Sequence, residues 1–511
     1  MNIPFTTIDA LRRAAACAPK RTFVQFDGQS FSYEDTAVLA ARWASRLHVA
    51  GVERGDRVAL FLENSSAFVM AYLGAHLIGA IVVLVNTQYR QTELRHILSD
   101  SAAKVVIVGD QAHADLIHRS DAPGVVMFAS EAVLEGAGDM PDWTHAPAPA
   151  DLALIGYTSG TTGRSKGAML THANLMANSA AVTRAWSWTE RDRLLLTLPL
   201  FHIHGLGVGL NGTLFATGTV DLRRGFDATD VLDTLARGEA TMFFGVPTMY
   251  TRLIAEARRR RSEGRAVRVD GMRLFVSGSA PLSPQTFAEF EELFGHRILE
   301  RYGMTETIMN LTNPYDGERR PGTVGMPFPG QEARVVDVRT RQPLPDGEIG
   351  EIQVRGPNVF AGYWRNPQAT AEAFDANGWF NTGDLGWRSA DGYFTITGRA
   401  RELIISGGYN IYPREVEEVL LDHPAVAEVA VVGLPDAEFG EQVVAVVVPA
   451  MQTTDGLEQE LIDWCRARLA SYKKPRRVVF AAALPRNALG KVQKHVVQQQ
   501  LRQVQPERTP Q

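Results

Sequence analysis

The feature that most constrains the fold is a repeated alternation of short apolar runs with segments of helical periodicity. Runs rich in β-branched and aromatic residues recur at RVALFL (57–62), KVVIVG (104–109), TMFFGV (241–246) and RLFVSG (273–278). Each run is continuously apolar, which is typical of a strand covered on both faces. Such strands, alternating with helices, predict an α/β fold with largely parallel sheets.

One uncharged stretch of nineteen residues, Ala67 to Val85, is long enough to be tested as a membrane span. His76 lies inside it, Gly74 and Gly79 interrupt it, and basic clusters do not flank it. We interpret it as a buried helix, a glycine turn and a buried strand. The N-terminus shows no basic region followed by an apolar run, so we expect no secretory signal and a cytoplasmic protein.

Composition excludes several classes of function. The 511 residues include 52 basic and 57 acidic side chains, giving a net charge of −5. A nucleic-acid-binding protein is usually strongly basic, so we expect no nucleic-acid partner. The two cysteines, Cys17 and Cys465, cannot form a disulfide framework or a four-thiolate metal site, and they suit a reducing compartment.

The spacing of turn-forming residues and apolar runs changes after about residue 325. Closely spaced turn signals (PDGEIG, RGPN, DANG, SADG) separate short alternating strands such as EIQVRG and YFTITG, which predicts a smaller, more antiparallel subdomain. Beyond residue 402, two helix candidates and two apolar strands predict a separate C-terminal α/β unit. The last residues, QPERTPQ (505–511), are predicted to be a disordered tail.

The strongest local motif is the glycine-rich segment Tyr157 to Gly167, YTSGTTGRSKG. Its glycines permit close approach of backbone N–H groups to an anion, its hydroxyl residues add donors, and Lys166 adds positive charge. It departs from a Walker A sequence, because Ser165 and Gly167 stand where that pattern requires glycine and then Ser or Thr. It predicts a phosphate-binding loop, although its composition alone fits a surface loop equally well.

Six further motifs follow in order: PLFHIHG (199–205), SGSAPL (277–282), ERYGMTET (300–307), TGD (382–384), GRARELIISGGYNIYPREVE (398–417) and PRNALGK (485–491). With the glycine-rich loop, they resemble the signature motifs of the adenylate-forming superfamily, which includes acyl-CoA synthetases, adenylation modules of peptide synthetases and beetle luciferases. The resemblance covers nearly the whole chain and is weakest before residue 150. It implies an AMP-forming acyl-CoA synthetase: a carboxylate attacks the α-phosphate of ATP, and the thiol of coenzyme A then displaces AMP.

The resemblance gives several of these motifs a part in ATP binding. The glycine-rich loop would hold the β- and γ-phosphates, Tyr302 would stack on adenine, and Asp384 would bind the ribose hydroxyls. Thr305 would contact the α-phosphate and Glu306 would bind Mg²⁺, since a hard cation takes carboxylate and phosphate oxygens. The implied ATP-binding set is Thr158, Ser159, Gly160, Thr161, Thr162, Gly163, Lys166, Ser279, Ala280, Pro281, Glu300, Tyr302, Gly303, Met304, Thr305, Asp384 and Arg399.

The implied catalytic set is Lys491, Thr305, Glu306 and His202. Lys491 resembles the lysine that pairs with the negative charge developing between the carboxylate and the α-phosphate, so it should affect rate more than binding. Taken alone, it would be a solvated lysine. PRNALGK also resembles the target of protein lysine acetyltransferases, and acetylation would remove the charge of Lys491.

The resemblance also implies two mobile parts. It predicts an N-terminal AMP-binding domain (1–398), a hinge (399–402) that contains Arg401, and a C-terminal domain (403–504) that rotates between the two reactions. Arginine replaces the usual aspartate or lysine at the pivot. The loop Ser406, Gly407, Gly408 and Tyr409 would line the path of coenzyme A.

Arg301 is the residue most informative about the acid. It stands directly before Tyr302, and a guanidinium facing a pocket needs a partner because an unpaired buried charge costs several kcal/mol. A second carboxylate on the substrate would provide one with bidentate geometry. The alternative is that Arg301 pairs with Glu300 or another acid and only shapes the pocket.

The run ERYGMTETIMNLTNPYDGERRPGTVG resembles malonyl-CoA synthetases, in which two arginines read the distal carboxylate of malonate. They match Arg252 and Arg301, with help from the hydroxyl of Ser279, while His202 matches the residue at the mouth of the acyl pocket. His204 is interpreted as a packing residue. The sequence therefore predicts a malonate–CoA ligase that also accepts 2-methylmalonate and uses ATP, Mg²⁺ and coenzyme A.

Two other functions remain open on the sequence. One is a medium-chain or aromatic acyl-CoA synthetase, which would leave Arg301 with a structural role. The other is a stand-alone adenylation enzyme that loads a carrier protein. Against the second, no carrier domain follows Lys491, and VPTMY offers no aspartate for the α-amine of an amino acid.

Overall fold

The computed structural model describes residues 6–119, 124–129, 140–143, 146–158, 165–265, 267–406, 409–436, 438–450, 453, 456–487 and 491–504. Within these residues it contains fourteen α-helices, one π-helix (His204–Leu210) and one short 3₁₀ helix (Ala400–Glu402). The α-helices are α1 Thr7–Cys17, α2 Tyr33–Val49, α3 Ser66–Leu77, α4 Gln91–Ser101, α5 Gln111–Arg119, α6 His172–Ala185, α7 Asn211–Ala216, α8 Ala228–Ala236, α9 Pro247–Ser262, α10 Pro284–Phe294, α11 Pro367–Ala373, α12 Pro413–Leu421, α13 Leu457–Arg468 and α14 Lys494–Val504.

The same residues form 25 strands. They are β1 Thr22–Phe26, β2 Gln29–Ser32, β3 Arg57–Phe61, β4 Ile81–Leu84, β5 Val105–Val108, β6 Val125–Phe128, β7 Leu152–Thr158, β8 Lys166–Thr171, β9 Arg193–Leu196, β10 Thr219–Leu222, β11 Met242–Gly245, β12 Leu274–Ser277, β13 Leu299–Tyr302, β14 Leu311–Thr312, β15 Met326–Pro327, β16 Glu332–Val336, β17 Gly350–Arg355, β18 Gly362–Tyr363, β19 Phe380–Arg388, β20 Phe394–Arg399, β21 Ile404–Ser406, β22 Tyr409–Ile411, β23 Val426–Asp436, β24 Gly440–Pro449 and β25 Arg477–Phe480.

The chain folds into two compact units. The first comprises residues 1–333 and 354–381, and the second comprises residues 334–353 and 382–511. The first unit holds a nine-stranded sheet, in the order β15-β14-β13-β12-β11-β9-β10-β1-β2, and a seven-stranded sheet, in the order β18-β8-β7-β4-β3-β5-β6. The four apolar runs singled out in the sequence form β3, β5, β11 and β12, each paired in parallel with a neighbour, as predicted.

The uncharged stretch 67–85 folds as the sequence predicts. Helix α3 is buried on nearly all sides, Gly79 turns the chain with a φ of +69°, and β4 pairs in parallel with β3 and β7. Glycine suits that turn because a positive φ is costly for residues with a side chain. In the part of the chain that the structure describes, none of the helices has the length and apolarity needed to cross a membrane.

One face of the nine-stranded sheet carries an aromatic core that fixes strands β11, β12 and β13. Helices α8, α9 and α10 pack there around Phe243, Phe275 and Phe290, all of which are buried. The phenyl rings of Phe275 and Phe290 meet edge to face, with centroids 4.9 Å apart. This packing holds β11, β12 and β13 side by side with their carboxyl ends at one edge, where open α/β sheets bind ligands.

The second unit contains most of a four-stranded sheet, in the order β16-β17-β19-β20, and all of a five-stranded sheet built from β21 to β25. Strands β19 and β20 pair antiparallel, in agreement with the turn-rich pattern of the sequence. Helices α12 and α13 and strands β23 and β24 lie where the C-terminal sequence pattern predicts them. The predicted boundary at 398 and hinge at 399–402 stay predictions, since compact units alone do not identify a pivot. The predicted tail, 505–511, lies outside the described residues.

Candidate active site

The glycine-rich loop connects two antiparallel strands. Strand β7 ends at Thr158 and β8 begins at Lys166, and these two residues are paired across the hairpin. A Walker A loop instead leads from a strand into a helix. The topology therefore agrees with the residue spacing, which also departs from a Walker A sequence. The predicted loop residues Ser159, Gly160, Thr161, Thr162 and Gly163 lie outside the described residues.

Three side chains of the first unit bring the loop and the ERYGMTET motif together. The ammonium nitrogen of Lys166 lies 5.3 Å from the centre of the Tyr363 ring, within the range of a cation–π contact. The Tyr363 hydroxyl donates a hydrogen bond of 3.0 Å to Oε1 of Glu306, which is buried. Burial, and then the Glu306 charge, raise the pKa of Tyr363, so the phenol stays protonated and keeps donating.

The turn that carries Thr305 and Glu306 is held by close backbone packing. A methyl group on Gly156, near the end of β7, would lie 2.6 Å from Cγ2 of Thr305, so the threonine packs directly on the strand before the loop. Across the turn, Ile308 has a φ of +60°, which is strained for a β-branched residue. The backbone N–H of Phe360 donates to the carbonyl of Glu306 at 2.8 Å. Strain of this kind persists only where neighbours fix the backbone, as they do here.

Arg301 lies on β13 and is almost completely buried, with 3% of its surface exposed. Its guanidinium lies against the backbone of Gly278: a Cβ there would be 2.4 Å from Cζ and 2.6 Å from Nε of Arg301. Among the described residues, Nε and Nη2 of Arg301 have no hydrogen-bond partner. Burial lowers the pKa of Arg301 to about 9, and the charge interaction with the nearby Tyr250 opposes this shift.

Glu300 does not neutralise Arg301. Adjacent residues of a strand point to opposite faces, and Oε1 of Glu300 accepts a hydrogen bond of 3.0 Å from the backbone N–H of Leu282. No carboxylate of the described residues forms an ion pair with Arg301. The guanidinium is therefore a buried cation whose Nε and Nη2 have no acceptor among the described residues.

Two histidines of PLFHIHG lie near this cation. Desolvation, followed by the Arg301 charge, lowers the pKa of the half-buried His202 to about 4. His204 is fully buried, and the same two effects, in the same order, put its pKa well below the usual value. Nδ1 of His204 lies 3.2 Å from Oγ of Ser279, whose φ of +68° is left-handed. The predicted packing residue therefore contacts a predicted substrate residue.

The other predicted residues of the first unit are placed as follows. Tyr302 is buried at the end of β13, and its hydroxyl points to the sulfur of Met304 at 3.8 Å. Ala280 is half-buried and Pro281 is exposed directly after Ser279. Gly303 lies under the turn, where a Cβ would be 2.0 Å from the carbonyl oxygen of Ile308.

Arg252 is not brought to Arg301 by any contact. Arg252 is exposed on helix α9. Among the described residues, it shares no hydrogen-bond or ion-pair partner with Arg301. Its predicted role stays a prediction.

In the second unit, three more predicted residues lie close together. Asp384 and Arg399 are paired across β19 and β20, and Nε of Arg399 lies 2.6 Å from Oδ1 of the buried Asp384. Lys491 directly precedes Val492, which forms an isolated antiparallel bridge with Arg486, and the carbonyl of Lys491 accepts a hydrogen bond of 2.9 Å from the backbone N–H of Asn487. It is near enough to Asp384 and Arg399 to interact with both charges.

The predicted coenzyme A loop joins β21 to β22. Ser406 is buried and is paired with Tyr409, whose exposed ring stacks on Tyr472 with centroids 4.5 Å apart. Gly407 and Gly408 lie outside the described residues. Arg401 is exposed on the 3₁₀ helix Ala400–Glu402.

Sequence reasoning missed Tyr363, Gly278 and His204. Tyr363 lies in no recognised motif and is 57 positions from Glu306, so nothing in the sequence indicated that the two residues are in contact. Gly278 and His204 stand inside recognised motifs, and each adjoins a residue that was named. Their contacts with Arg301 and Ser279 could have been suspected from that proximity.

The comparisons agree with this architecture. Residues 11–364 match the family described as AMP-binding enzyme, and residues 415–491 match the AMP-binding enzyme C-terminal domain. Within the described residues no cluster of three or more His, Cys, Asp or Glu side chains could hold a metal ion unaided.

Three curated relatives and one solved structure are similar over most of their length. A sulfoacetate–CoA ligase of Cupriavidus necator is 38% identical and covers 96% of this chain and 97% of its own. A feruloyl-CoA synthase of Amycolatopsis is 38% identical (94% and 96%), and a malonate–CoA ligase of Arabidopsis thaliana is 34% identical (94% and 86%). The crystal structure of ATP-bound MatB from Rhodopseudomonas palustris superposes with a TM-score of 0.90 at 40% identity, covering 98% of this chain and all of that one.

Proposed function

We propose that malonate is the acid activated by this chain, which belongs to the AMP-binding enzyme family and is an AMP-forming acyl-CoA ligase. The overall reaction would convert malonate, ATP and coenzyme A to malonyl-CoA, AMP and pyrophosphate. Malonates with a small 2-substituent, such as 2-methylmalonate, would also be accepted.

The observation that carries this proposal is the unpaired guanidinium of Arg301. It is buried, its Nε and Nη2 have no partner among the described residues, and Glu300 is engaged elsewhere. A carboxylate at the far end of a short acid would accept these N–H groups and offset the charge. A monocarboxylate would leave them unpaired, so it should be rejected strongly.

The phosphate end would be formed by Lys166, Thr305 and Glu306. Lys166 supplies a cation for the β- and γ-phosphates, and Thr305 supplies a hydroxyl donor for the α-phosphate. Glu306 would hold Mg²⁺ with phosphate oxygens and water, because that ion is usually bound by one or two carboxylates together with substrate phosphates. When bound, Mg²⁺ offsets the negative charge of the triphosphate.

Other roles follow from the family resemblance. Tyr302, with Ala280 and Pro281, would bind adenine, and Asp384 with Arg399 would bind the ribose. Lys491 would stabilise the charge that develops as the carboxylate attacks the α-phosphate. Ser406 and Tyr409 would contact coenzyme A. Acetylation of Lys491 by a protein acetyltransferase stays a hypothesis without a supporting observation.

A second candidate acid is sulfoacetate. One relative is a sulfoacetate–CoA ligase at 38% identity, and a sulfonate would accept from Arg301 as a carboxylate does. Carboxylate and sulfonate differ in shape, planar against tetrahedral, so the same pocket should discriminate between them. An aromatic acid, the substrate named for the feruloyl-CoA synthase relative, would leave Arg301 without an acceptor.

The test is AMP formation by the purified chain with ATP, Mg²⁺ and a panel of acids, with and without coenzyme A. The panel contains malonate, 2-methylmalonate, sulfoacetate, succinate, acetate, butyrate, octanoate, benzoate and ferulate. Turnover that depends on coenzyme A and is confined to malonate and its 2-alkyl relatives is the expected result. A preference for sulfoacetate would select the second candidate. A preference for octanoate, benzoate or ferulate would overturn both and give Arg301 a structural role.

A further inference from the structure

Helix α4 (Gln91–Ser101) lies beside the β7–β8 hairpin and holds both of its strands. The apolar side chains of this helix are buried in the core of the seven-stranded sheet, which fixes its position. Two polar residues of α4, His96 and Asp100, are four positions apart and therefore share a face. Each forms a hydrogen bond with the hairpin, and neither belongs to one of the seven motifs.

His96 is bonded to the residue directly before Lys166. Its Nε2 lies 2.8 Å from the carbonyl oxygen of Ser165. A carbonyl oxygen only accepts, so Nε2 must carry the hydrogen, whether the ring is neutral or protonated. The imidazole also lies edge-on to the Tyr157 ring, with centroids 6.1 Å apart and an interplanar angle of 82°. It therefore contacts β7 and the residue that leads into β8.

Asp100 is tied to the same two strands. The Tyr157 hydroxyl donates to Oδ2 of Asp100 at 2.6 Å. Burial, and then the hydrogen bond with Asp100, raise the pKa of Tyr157, so the phenol stays protonated and keeps donating. The indole N–H of Trp364 donates to the backbone carbonyl of Asp100 at 3.0 Å, and the backbone N–H of Trp364 donates to the carbonyl of Gly167 at 2.7 Å.

Lys166 stands between these restraints. The residue before it is bonded to His96, the residue after it is bonded to Trp364, and its own backbone is paired with Thr158 across the hairpin. Its ammonium group lies over the Tyr363 ring. A lysine side chain is long and flexible, so the position of its charge depends on how firmly its backbone is held.

We propose that His96 is a positioning residue for Lys166: it binds the Ser165 carbonyl and so places the ammonium group where the β- and γ-phosphates of ATP bind. His96 acts through Lys166 and does not touch the nucleotide. The proposal rests on the proposed role of Lys166 and is independent of which acid is activated. Because AMP lacks the β- and γ-phosphates, His96 should matter for binding of ATP and not for binding of AMP.

The test measures the dissociation constants of Mg-ATP and of AMP by calorimetry, without an acid or coenzyme A, for the full-length wild type, His96→Phe, His96→Gln and Lys166→Met. Phenylalanine keeps a ring and removes the donor, whereas the amide nitrogen of glutamine can replace Nε2. We expect His96→Phe to weaken Mg-ATP binding about 3–10-fold, on the scale of one hydrogen bond between neutral groups, and to leave AMP binding unchanged. Glutamine should retain more of the affinity for Mg-ATP than phenylalanine does.

A double variant tests whether His96 acts through Lys166. Residues that act as one unit do not have additive effects. In Lys166→Met the cation is missing, so adding His96→Phe should cause no further loss of Mg-ATP affinity.

His113→Phe is the matched control. His113 also has a hydrogen bond of 2.8 Å and an edge-on aromatic neighbour, but its partner is Asp110, three residues earlier, and the neighbouring ring is that of Phe61. It should leave the binding of both nucleotides unchanged.

Three outcomes would overturn the proposal: an unchanged affinity of His96→Phe for Mg-ATP, an equal loss of Mg-ATP and AMP binding, and a further loss in the double variant. If Lys166→Met itself binds Mg-ATP as tightly as wild type, the proposed role of Lys166 fails instead, so the two failures are distinguishable. If His96→Phe does not fold, His96→Asn replaces it, because the shorter amide does not reach Ser165 and should show the same loss.

Discussion

The two ends of the proposed active site in the first unit differ in how their charged side chains are paired. The proposed phosphate end contains Lys166 and Glu306, and the proposed acid end contains Arg301. At the phosphate end, Glu306 accepts a hydrogen bond from the Tyr363 hydroxyl, and the ammonium group of Lys166 lies over the Tyr363 ring. Each charged group therefore has a protein contact. At the acid end, Arg301 is buried with two nitrogens unpaired. The difference indicates that the phosphate end is organised before its ligand arrives, whereas the acid end needs the ligand to satisfy its charge.

The strongest way to break this comparison is Arg301→Met, which keeps an unbranched apolar stem and removes the charged guanidinium. We expect kcat/KM for malonate to fall by about 10³-fold, since removing one partner of a buried ion pair costs roughly 3–5 kcal/mol. Butyrate activity should be retained or gained. Without substrate, the variant should melt at a higher temperature than wild type, because an unpaired buried charge has been removed. Steady-state kinetics and thermal denaturation measure the two effects, and unchanged malonate kinetics would refute the role.

A smaller perturbation of the same end is Gly278→Ala. The added Cβ would overlap the guanidinium of Arg301, which must then move, so malonate activity should fall by about 10–100-fold for a loss of ~1.4–2.7 kcal/mol. Butyrate activity should fall less. Gly225→Ala is the control, because nothing lies within 4 Å of a Cβ at that position. Equal loss of both acids in Gly278→Ala would mean that the backbone, not Arg301, had been disturbed.

The phosphate end is tested by Tyr363→Phe. It removes the hydrogen bond to Glu306 and keeps the ring under Lys166, so we expect KM for Mg-ATP to rise about 10-fold, on the scale of a hydrogen bond to a charged group. Malonate and butyrate should be affected equally, in contrast to Arg301→Met. A change in the ratio of the two acids would show that the two ends are not independent.

The smallest expected effect concerns histidines whose nitrogens are largely satisfied. Nδ1 of His76 and of His172 lie 2.8 Å and 3.1 Å from the Thr7 hydroxyl, and Nε2 of His76 contacts the carbonyl of Ala153 at 3.0 Å. Burial lowers the pKa of His76 to about 4 and puts that of His172 well below normal. The unfolded chain therefore binds more protons, so the free energy of unfolding should fall as the pH drops from about 6.5 toward 4.

For His76 alone, the loss between pH 6.5 and 5.5 should be about 1 kcal/mol. Denaturant unfolding at a series of pH values measures it, and His76→Gln should flatten the profile. His48→Gln, at an exposed position, should not. A wild-type stability that is flat over this range would contradict the burial of neutral histidines.

Much of the fold could be predicted because the relevant patterns are local. The run RVALFL forms β3, the stretch 67–85 forms α3, a Gly79 turn and β4, and the turn-rich segment after residue 325 gives the antiparallel pair β19 and β20. Each depends on periodicity or turn chemistry within a few residues. The family was also predictable, since seven motifs in a fixed order carry it.

The site was only partly predictable. The sequence placed Arg301 beside the pocket for the acid but left open whether Glu300 neutralises it. The partner of Glu300, the backbone N–H of Leu282, is brought to it only by the fold. It named Glu306 but could not connect it to Tyr363, since these residues meet only when β18 joins the sheet edge beside β8. It treated His204 as packing because a single sequence does not reveal that Ser279 lies beside it.

The sequence by itself indicated the α/β alternation and several individual helices and strands, the adenylate-forming family, and the residue types that could bind ATP and an acid. The tertiary structure decided which of those residues are paired and which are not. The reason is physical: backbone preferences and apolar periodicity act over neighbouring residues. The desolvation of a charge such as Arg301 depends instead on every segment packed around it, including Gly278, which directly follows the adjacent strand β12.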